Sequence, residues 1–158
     1  MTKNPVYLIL HNIRSVQNVG AIFRTADASG ISKIYLTGYT PTPIDRFGRA
    51  RKDFAKTALG AQNTVAWESV SSINLLIKRL KKEEIKIIAI EQSKNAIDYK
   101  KIKIKFPSAF IFGNEVKGLS KSILKKSDKI AYIKMLGRKE SLNVSVAIGI
   151  FIFRVLKI

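Results

Sequence analysis

Short runs of β-branched and aromatic residues alternate with helical patterns along this chain, and that alternation narrows the choice of fold most. Each run is too short for a buried helix and is followed by an amphipathic or polar segment. Strands separated by helices pair in parallel and need helices on both faces of their sheet. We therefore predict an α/β fold with a mostly parallel sheet covered on both faces, with strands at 6–10, 33–37, 64–67, 86–91, 109–113 and 129–134.

The segment 18–30 predicts the first helix. Its apolar residues recur three and four positions apart at Val19, Ile22, Phe23 and Ala26, which places them on one buried face. We expect an N-cap at Asn18 and a C-cap at Gly30. On this pattern alone, Arg24 either forms a surface ion pair with Asp27, three residues on, or serves a functional site. Further helices are predicted within 71–84, 120–127 and 141–158.

The C-terminal helix is apolar on nearly all sides, from Val144 to Leu156. A single sheet covers only one side of a helix, so this helix needs a second surface to pack against. A second copy of the chain supplies that surface most simply. We therefore expect a homodimer formed through the C-terminal helix.

The charge of the chain points to a polyanionic partner. Twenty-nine Lys and Arg oppose 11 Asp and Glu, for a net charge of +18, and phosphate neutralisation by such a surface favours nucleic acid. Arginines are concentrated in 45–56, which we expect to be a loop. The alternative is a general lysine bias with no binding role, because many lysines lie in dispersed pairs.

Composition limits the domain organisation and excludes several kinds of site. The 158 residues suffice for one domain, and we expect 1–158 to form it. There is no cysteine and His11 is the single histidine, so we expect no disulfide, no cysteine nucleophile and no metal site, and a reducing cytoplasmic location. No apolar run is long enough to cross a membrane.

Two predicted loops follow strands at the edge where open α/β sheets bind ligands. The loop 111–120 carries Gly113 and Gly118, which permit close backbone approach, and the carboxylate of Glu115. The loop 133–147 leads into the apolar helix, with Ser141 as its expected N-cap. Neither G-x-G-x-x-G nor a P-loop sequence is present, which disfavours a Rossmann-type dinucleotide site and a P-loop nucleotide site.

Three stretches together resemble the SpoU (TrmH) family of the SPOUT superfamily of RNA methyltransferases. The stretch NVGAIFR is similar to the first family motif, N-x-G-x-x-x-R, and FGNEVKG to the second, F-G-x-E-x-x-G. The stretch IKMLGRKESLNVSVA is similar to the third, I-P-M-x-G-x-x-x-S-L-N-V-S-x-A, with Lys134 in place of the usual proline. The motifs occur in the family order, and the similarity spans essentially the whole chain.

The resemblance implies an S-adenosylmethionine-dependent 2′-O-ribose methyltransferase acting on tRNA or rRNA. It also implies a C-terminal trefoil knot, an exception to unknotted topology, and a homodimer with sites near the interface. Many relatives add an RNA-binding extension, and we expect 1–158 to form a single domain without one. Two alternatives stay open: a SPOUT-fold RNA-binding protein that has lost catalysis, and a SPOUT enzyme that methylates a base.

The resemblance also implies roles for individual residues. Arg24 is expected to activate the ribose hydroxyl, and because a guanidinium stays protonated below about pH 12, we expect it to act as a fixed cation. Its companions in the catalytic site are expected to be Asn18, Glu115, Ser141 and Asn143. The residues expected to bind the cofactor are Ile90, Gly113, Asn114, Gly118, Ile133 and Leu142. Separately from the resemblance, the basic residues that we expect to contact RNA, mostly through its phosphates, are Arg14, Arg46, Arg49, Arg51, Lys52 and Arg138.

Overall fold

The structure, a computed structural model, describes residues 4–158. Within them, seven strands form one parallel sheet in the order β3-β2-β1-β6-β4-β7-β5. The strands are β1 Val6–His11, β2 Lys33–Thr37, β3 Trp67–Val70, β4 Lys86–Ile90, β5 Ile97–Asp98, β6 Ser108–Phe112 and β7 Lys129–Tyr132.

Six helices accompany the sheet in the described part of the chain, and several begin at residues that suit an N-cap. Ser15, Ser72 and Ser120 accept a hydrogen bond from a backbone N–H in the first turn of α1, α4 and α5. The helices are α1 Val16–Ser29, α2 Lys52–Ala58, α3 Ala61–Thr64, α4 Ile73–Lys82, α5 Lys121–Lys126 and α6 Val144–Leu156.

Helices cover both faces of the sheet, as predicted. Successive strand residues point to opposite faces, so in β1 Leu8 and Leu10 join one core cluster while Ile9 joins the other. The first cluster contains residues of α1, α2, α3 and α6, and the second contains residues of α4 and α5. The predicted buried face of α1 is confirmed, because Val19, Ile22, Phe23 and Ala26 are all inaccessible.

Two predicted elements and one omission need correction. The predicted strand 64–67 is wrong: 61–64 is helical, Val65 N donates to Ala61 O, and the strand begins at Trp67. The predicted loop 45–56 becomes helical at Lys52, because Phe54 and Ala58 lie one turn apart and are both buried. The sequence prediction omitted β5, whose two residues are too few to give a pattern.

One side of α6 is only partly covered by the described chain. Ile148, Phe151 and Ile152 are buried against the sheet, whereas Val146, Ile150 and Phe153 are exposed. The pattern therefore agrees with the prediction that α6 needs a second covering surface, while the homodimer and the trefoil knot stay predictions. Within residues 4–158, no helix is long and apolar enough to span a bilayer.

Adjacent leucines on α4 offer a matched test of this packing. Leu76 is 1% exposed and Leu75 is 67% exposed. We expect Leu76→Ala to lower the free energy of unfolding by about 2–5 kcal/mol, because it leaves a cavity in the core. Leu75→Ala should change it by less than about 0.5 kcal/mol. Urea denaturation followed by circular dichroism measures both, and equal losses would contradict the assigned helix face.

Candidate functional site

A pocket of about 340 Å³ lies beyond the carboxyl ends of β4, β6 and β7. Its walls come from these strand ends, from the loops after β6 and β7, and from the first turns of α6. All six residues predicted to bind the cofactor line it, together with Glu115 and Ser141. The remaining lining residues are Glu91, Gln92, Phe112, Val116, Tyr132, Met135, Glu140, Val144 and Ala147.

The side chain of Asn114 joins three loops at this edge of the sheet. Its Nδ2 donates to Asn12 O at 3.0 Å and to Tyr39 Oη at 2.8 Å. Its Oδ1 accepts from the backbone N–H groups of Val116 and Lys117 at 2.9 and 2.8 Å. The amide is therefore engaged by the protein, so Asn114 shapes the pocket wall with its side chain and offers a ligand only its backbone.

Two glycines allow the loop after β6 to close against the end of β4. A Cβ on Gly113 would lie 2.8 Å from the carbonyl of Gly118, which is too close. Gly118 has a φ of +63°, and a Cβ there would overlap Glu91 Oε2. That carboxylate oxygen accepts from Leu119 N at 2.8 Å. A side chain at Gly113 is therefore excluded by backbone, whereas at Gly118 the positive φ disfavours one and the Glu91 carboxylate would have to move.

Glu115 presents a carboxylate oxygen that the described protein does not satisfy. Its Oε2 accepts a long hydrogen bond of 3.4 Å from Arg14 N, which links the second motif to the segment before α1. Its Oε1 is buried and has no hydrogen-bond partner among the described residues. Because a buried carboxylate oxygen without a donor is costly, this atom indicates a place where a ligand donates or carries positive charge.

The first and third motifs meet at the N-terminus of α6. Asn143 Nδ2 donates to Asn18 Oδ1 at 3.1 Å across 125 residues of sequence. The Oδ1 of Asn143 accepts from Ser145 N at 2.9 Å, so Asn143 is the N-cap of α6 and the predicted cap at Ser141 is wrong. The predicted cap of α1 at Asn18 is also wrong, because Ser15 caps that helix and frees Asn18 to reach Asn143.

Arg24 lies on the exposed side of α1 and is not among the residues that line the pocket. The surface pair with Asp27 does not form: the Asp27 carboxylate accepts from Thr64 Oγ1 at 2.7 Å instead. Within residues 4–158, the Arg24 guanidinium has neither a hydrogen bond nor an ion pair. Its charge is therefore available to a group outside the single described chain.

The predicted RNA-binding residues are exposed to different degrees and differ in their partners. Arg49 pairs with Asp45 at 2.9 Å and Arg51 pairs with Asp53 at 2.7 Å, so part of their charge is neutralised. The guanidinium of Arg51 holds the pKa of Asp53 below its usual value. The other four, which are Arg14, Arg46, Lys52 and Arg138, are exposed and make no ion pair within the described chain.

His11 lies at the end of β1, on the same edge of the sheet. Its Nε2 accepts from Asn12 Nδ2 at 3.2 Å, which leaves Nδ1 to donate to Thr37 Oγ1 at 2.9 Å. Burial lowers the pKa of His11. The ring is therefore neutral at physiological pH and serves to tie β1 to β2.

The pocket and the rest of the protein differ in the sign of their charge. The net charge of the chain is +18, yet the charged residues among those described as lining the pocket are three glutamates, Glu91, Glu115 and Glu140. Clustered carboxylates favour a cation by Coulomb attraction, most strongly where water is partly excluded. The pocket therefore suits a ligand that carries positive charge.

The sequence matches the SpoU rRNA Methylase family over residues 5–153. The chain belongs to this family. It is 33% identical over 159 residues to the 23S rRNA (guanosine-2′-O-)-methyltransferase RlmB of Blochmanniella floridana, a match that covers 99% of this chain and 60% of that relative. It is 28% identical over 144 residues to the tRNA (guanosine(18)-2′-O)-methyltransferase of Escherichia coli strain K12, covering 91% of this chain and 59% of that one.

A solved structure shares the fold of this SpoU-family chain. The AdoMet-bound rRNA methyltransferase from Sinorhizobium meliloti superposes with a TM-score of 0.85 at 26% identity, covering 97% of this chain and 56% of that one. The chain spans about 60% of the length of the two curated relatives. The match therefore extends over nearly all of this chain and over the corresponding part of its relatives.

Two pocket residues that the sequence prediction missed follow β4 directly. Glu91 closes the wall at Gly118, and Gln92 Nε2 donates to Ile133 O at 2.8 Å, which ties the end of β4 to the end of β7. Their position in the sequence could have revealed them, because ligands of parallel sheets bind at the carboxyl ends of strands. Applied to 86–91, that rule would have included both residues.

Glycine-to-alanine substitutions test the geometry of the pocket wall. Gly118→Ala would strain a positive φ and displace Glu91, so we expect the free energy of unfolding to fall by about 1–3 kcal/mol. Gly137 has open space where a Cβ would lie, so Gly137→Ala should leave stability unchanged or raise it by up to about 1 kcal/mol. Chemical denaturation measures the free energy of unfolding of both variants. An unchanged value for Gly118→Ala would contradict the described geometry of the pocket wall.

Proposed function

We propose that this chain is an S-adenosylmethionine-dependent methyltransferase of a ribose 2′-hydroxyl in tRNA or rRNA. The observation that carries the proposal is the convergence of the three family motifs on one edge of the sheet. Asn18 of the first motif contacts Asn143 of the third across 125 residues, and Arg14 N contacts Glu115 of the second across 101. Both curated relatives described above are named as guanosine 2′-O-methyltransferases, one of rRNA and one of tRNA.

The pocket residues fit S-adenosylmethionine. Ile90, Ile133 and Leu142 give it apolar walls suited to an adenine ring. The unpaired Oε1 of Glu115 and the neighbouring glutamates suit a ligand with a positively charged sulfonium and ammonium group. The bound cofactor supplies a sulfonium methyl group that is already a good electrophile.

The protein then has to activate and orient a weak nucleophile, the ribose 2′-hydroxyl. We assign Arg24 to this task, as a cation that grips the adjacent phosphate bidentately and stabilises the alkoxide as the hydroxyl loses its proton. The proton passes to a phosphate oxygen or to water, because a guanidinium does not accept it. Asn18 and Asn143 position the start of α1 relative to α6, and Ser141 offers its hydroxyl at the pocket rim.

A homodimer would explain how Arg24 reaches a pocket that it does not line in its own chain. Arg24 is absent from the lining of the pocket in its own chain, and α6 exposes Val146, Ile150 and Phe153 beside α1. Burying these side chains against a second copy would satisfy the apolar face of α6. We propose that this contact brings Arg24 of one copy to the pocket of the other.

A labelled-methyl transfer assay on bulk tRNA and on rRNA tests the proposed activity. We expect label in RNA, and digestion to nucleosides should place it on ribose. Label on the base would establish the base-methylating alternative. Saturable RNA binding without incorporation would establish the non-catalytic alternative, and either result would overturn the proposal.

Arg24→Ala tests the assigned role of the guanidinium. Because it removes the group that stabilises the developing alkoxide, we expect turnover to fall about 10²-fold or more. Arg24→Lys should recover only part of the loss, since lysine keeps the charge but lacks the planar fork. Single-turnover methyl transfer and calorimetric titration with S-adenosylmethionine are the measurements. A comparable loss of cofactor affinity in Arg24→Ala would show that Arg24 binds the cofactor and would contradict its assigned role in activating the hydroxyl.

A further inference from the structure

Within the segment 38–51, here called the β2–α2 loop, hydrogen bonds close residues 43–51 into a hairpin-like turn. The Asp45 carboxylate accepts from Phe47 N at 2.8 Å and from the backbone and Nε of Arg49, both at 2.9 Å. Arg51 N donates to Pro43 O at 2.9 Å, which closes the base of the loop. The backbone N–H of Arg49 lowers the pKa of Asp45, so the carboxylate stays ionised at neutral pH and keeps the loop closed.

This closed loop holds a phenylalanine in solvent. Phe47 is 66% exposed. The guanidinium carbons of Arg46 and Arg49 lie 4.8 and 5.0 Å from the centre of its ring. An exposed aromatic ring on an ordered loop gains free energy when a flat apolar surface covers it, and little loop entropy is lost in doing so.

The two arginines differ in their freedom to move. Arg49 is held by Asp45, whereas Arg46 has no hydrogen bond or ion pair within residues 4–158. Arg46 is therefore able to leave the ring and bind a phosphate, which would free the ring face for another flat group. The pair offers a stacking surface and a cation in one place, which is the combination that unpaired nucleotides require.

The β2–α2 loop is connected to the pocket wall through Tyr39. Tyr39 N donates to Asn12 Oδ1 at 3.2 Å, and Tyr39 Oη accepts from Asn114 Nδ2 at 2.8 Å. Asn114 lines the pocket. The start of the β2–α2 loop is therefore hydrogen-bonded to the pocket wall, and the loop leaves the same edge of the sheet as the loops that line the pocket.

We propose that Phe47 is a stacking platform for an unpaired base of the substrate RNA, with Arg46 binding the adjacent phosphate. The inference rests on the proposed function for its RNA partner and adds the requirement that the RNA be unpaired near the modified ribose. A net charge of +18 favours a polyanion such as RNA over a neutral or basic protein surface, and the exposed Phe47 ring beside Arg46 suits a base and its phosphate. Stacking on Phe47 is tolerant of base identity, because each base has a π-face.

Binding of a labelled single-stranded RNA 12-mer and of a duplex of the same length, measured by fluorescence anisotropy, tests the proposal. We expect Phe47→Ala to weaken binding of the single strand by about tenfold and of the duplex by less than about twofold. Phe47→Tyr should bind both as the wild type does, because it keeps the ring. Leu75→Ala removes an exposed apolar side chain from α4, far along the chain from this loop, and should change neither.

A tryptophan reporter tests stacking directly. The chain has one tryptophan, Trp67, so Phe47→Trp in a Trp67→Phe background reports on position 47 alone. We expect its emission to be quenched by the single-stranded RNA and to be unaffected by an abasic ribose-phosphate chain of equal length. Quenching by both polymers would show contact with the backbone only and would overturn the proposal.

The outcomes separate this inference from the proposed function. If wild-type protein methylates RNA but Phe47→Ala binds the single strand as tightly as wild type, the platform is wrong and the activity stands. If wild type transfers no methyl group while Phe47→Ala loses single-strand binding, the platform stands and the activity is wrong. If Phe47→Ala binds both forms of RNA as tightly as the wild type but binds a protein partner more weakly, the occupant is a protein and the proposal fails.

Discussion

The parallel pairing of β1, β6, β4 and β7 is the constraint on which the site depends. Parallel strands end at the same edge, so loops that are distant in sequence emerge side by side. The structure joins these loops with side-chain amides: Asn114 bonds to the loops after β1 and β2, and Asn143 bonds to Asn18. Each of these bonds spans at least 75 residues of sequence, and none would form if the strand order changed.

The charge distribution separates two kinds of ligand. Basic residues dominate the chain as a whole, whereas the charged lining of the pocket is made of glutamates. The basic surface therefore attracts a polyanion, and the acidic lining of the pocket attracts a small cation. This arrangement agrees with the proposed function, in which RNA binds the basic surface and a cofactor with a sulfonium group binds the acidic pocket.

Sequence patterns predicted the elements whose apolar residues recur at a clear helix or strand spacing. They failed where two local structures, or two N-cap residues, were about equally favoured. The buried face of α1 and five of the six predicted strands are present, because their apolar spacing matches their burial. The run 64–67 contains β-branched residues, yet a helical turn occupies its start, since a four-residue pattern is easily outweighed by tertiary packing. Ser141 and Asn143 are both good N-caps, and the choice of Asn143 accompanies its contact with Asn18, a residue 125 positions away.

The candidate site was predictable to a similar extent. The family resemblance led to all six residues expected at the cofactor pocket, and the structure brings them together. It did not reveal that the Asn114 side chain is consumed by protein contacts, or that Arg24 lies outside the pocket of its own chain. Both facts depend on how surfaces meet in three dimensions, which short motifs do not encode.

Complementation between two inactive variants measures the central claim, that the site is shared between two copies. Arg24→Ala lacks the guanidinium, and Leu142→Trp fills part of the pocket. When the two are refolded together, a heterodimer holds one intact site, so we predict recovery of about a quarter of wild-type methyl transfer. No recovery, in a mixture shown by mass spectrometry to contain heterodimers, would contradict a shared site.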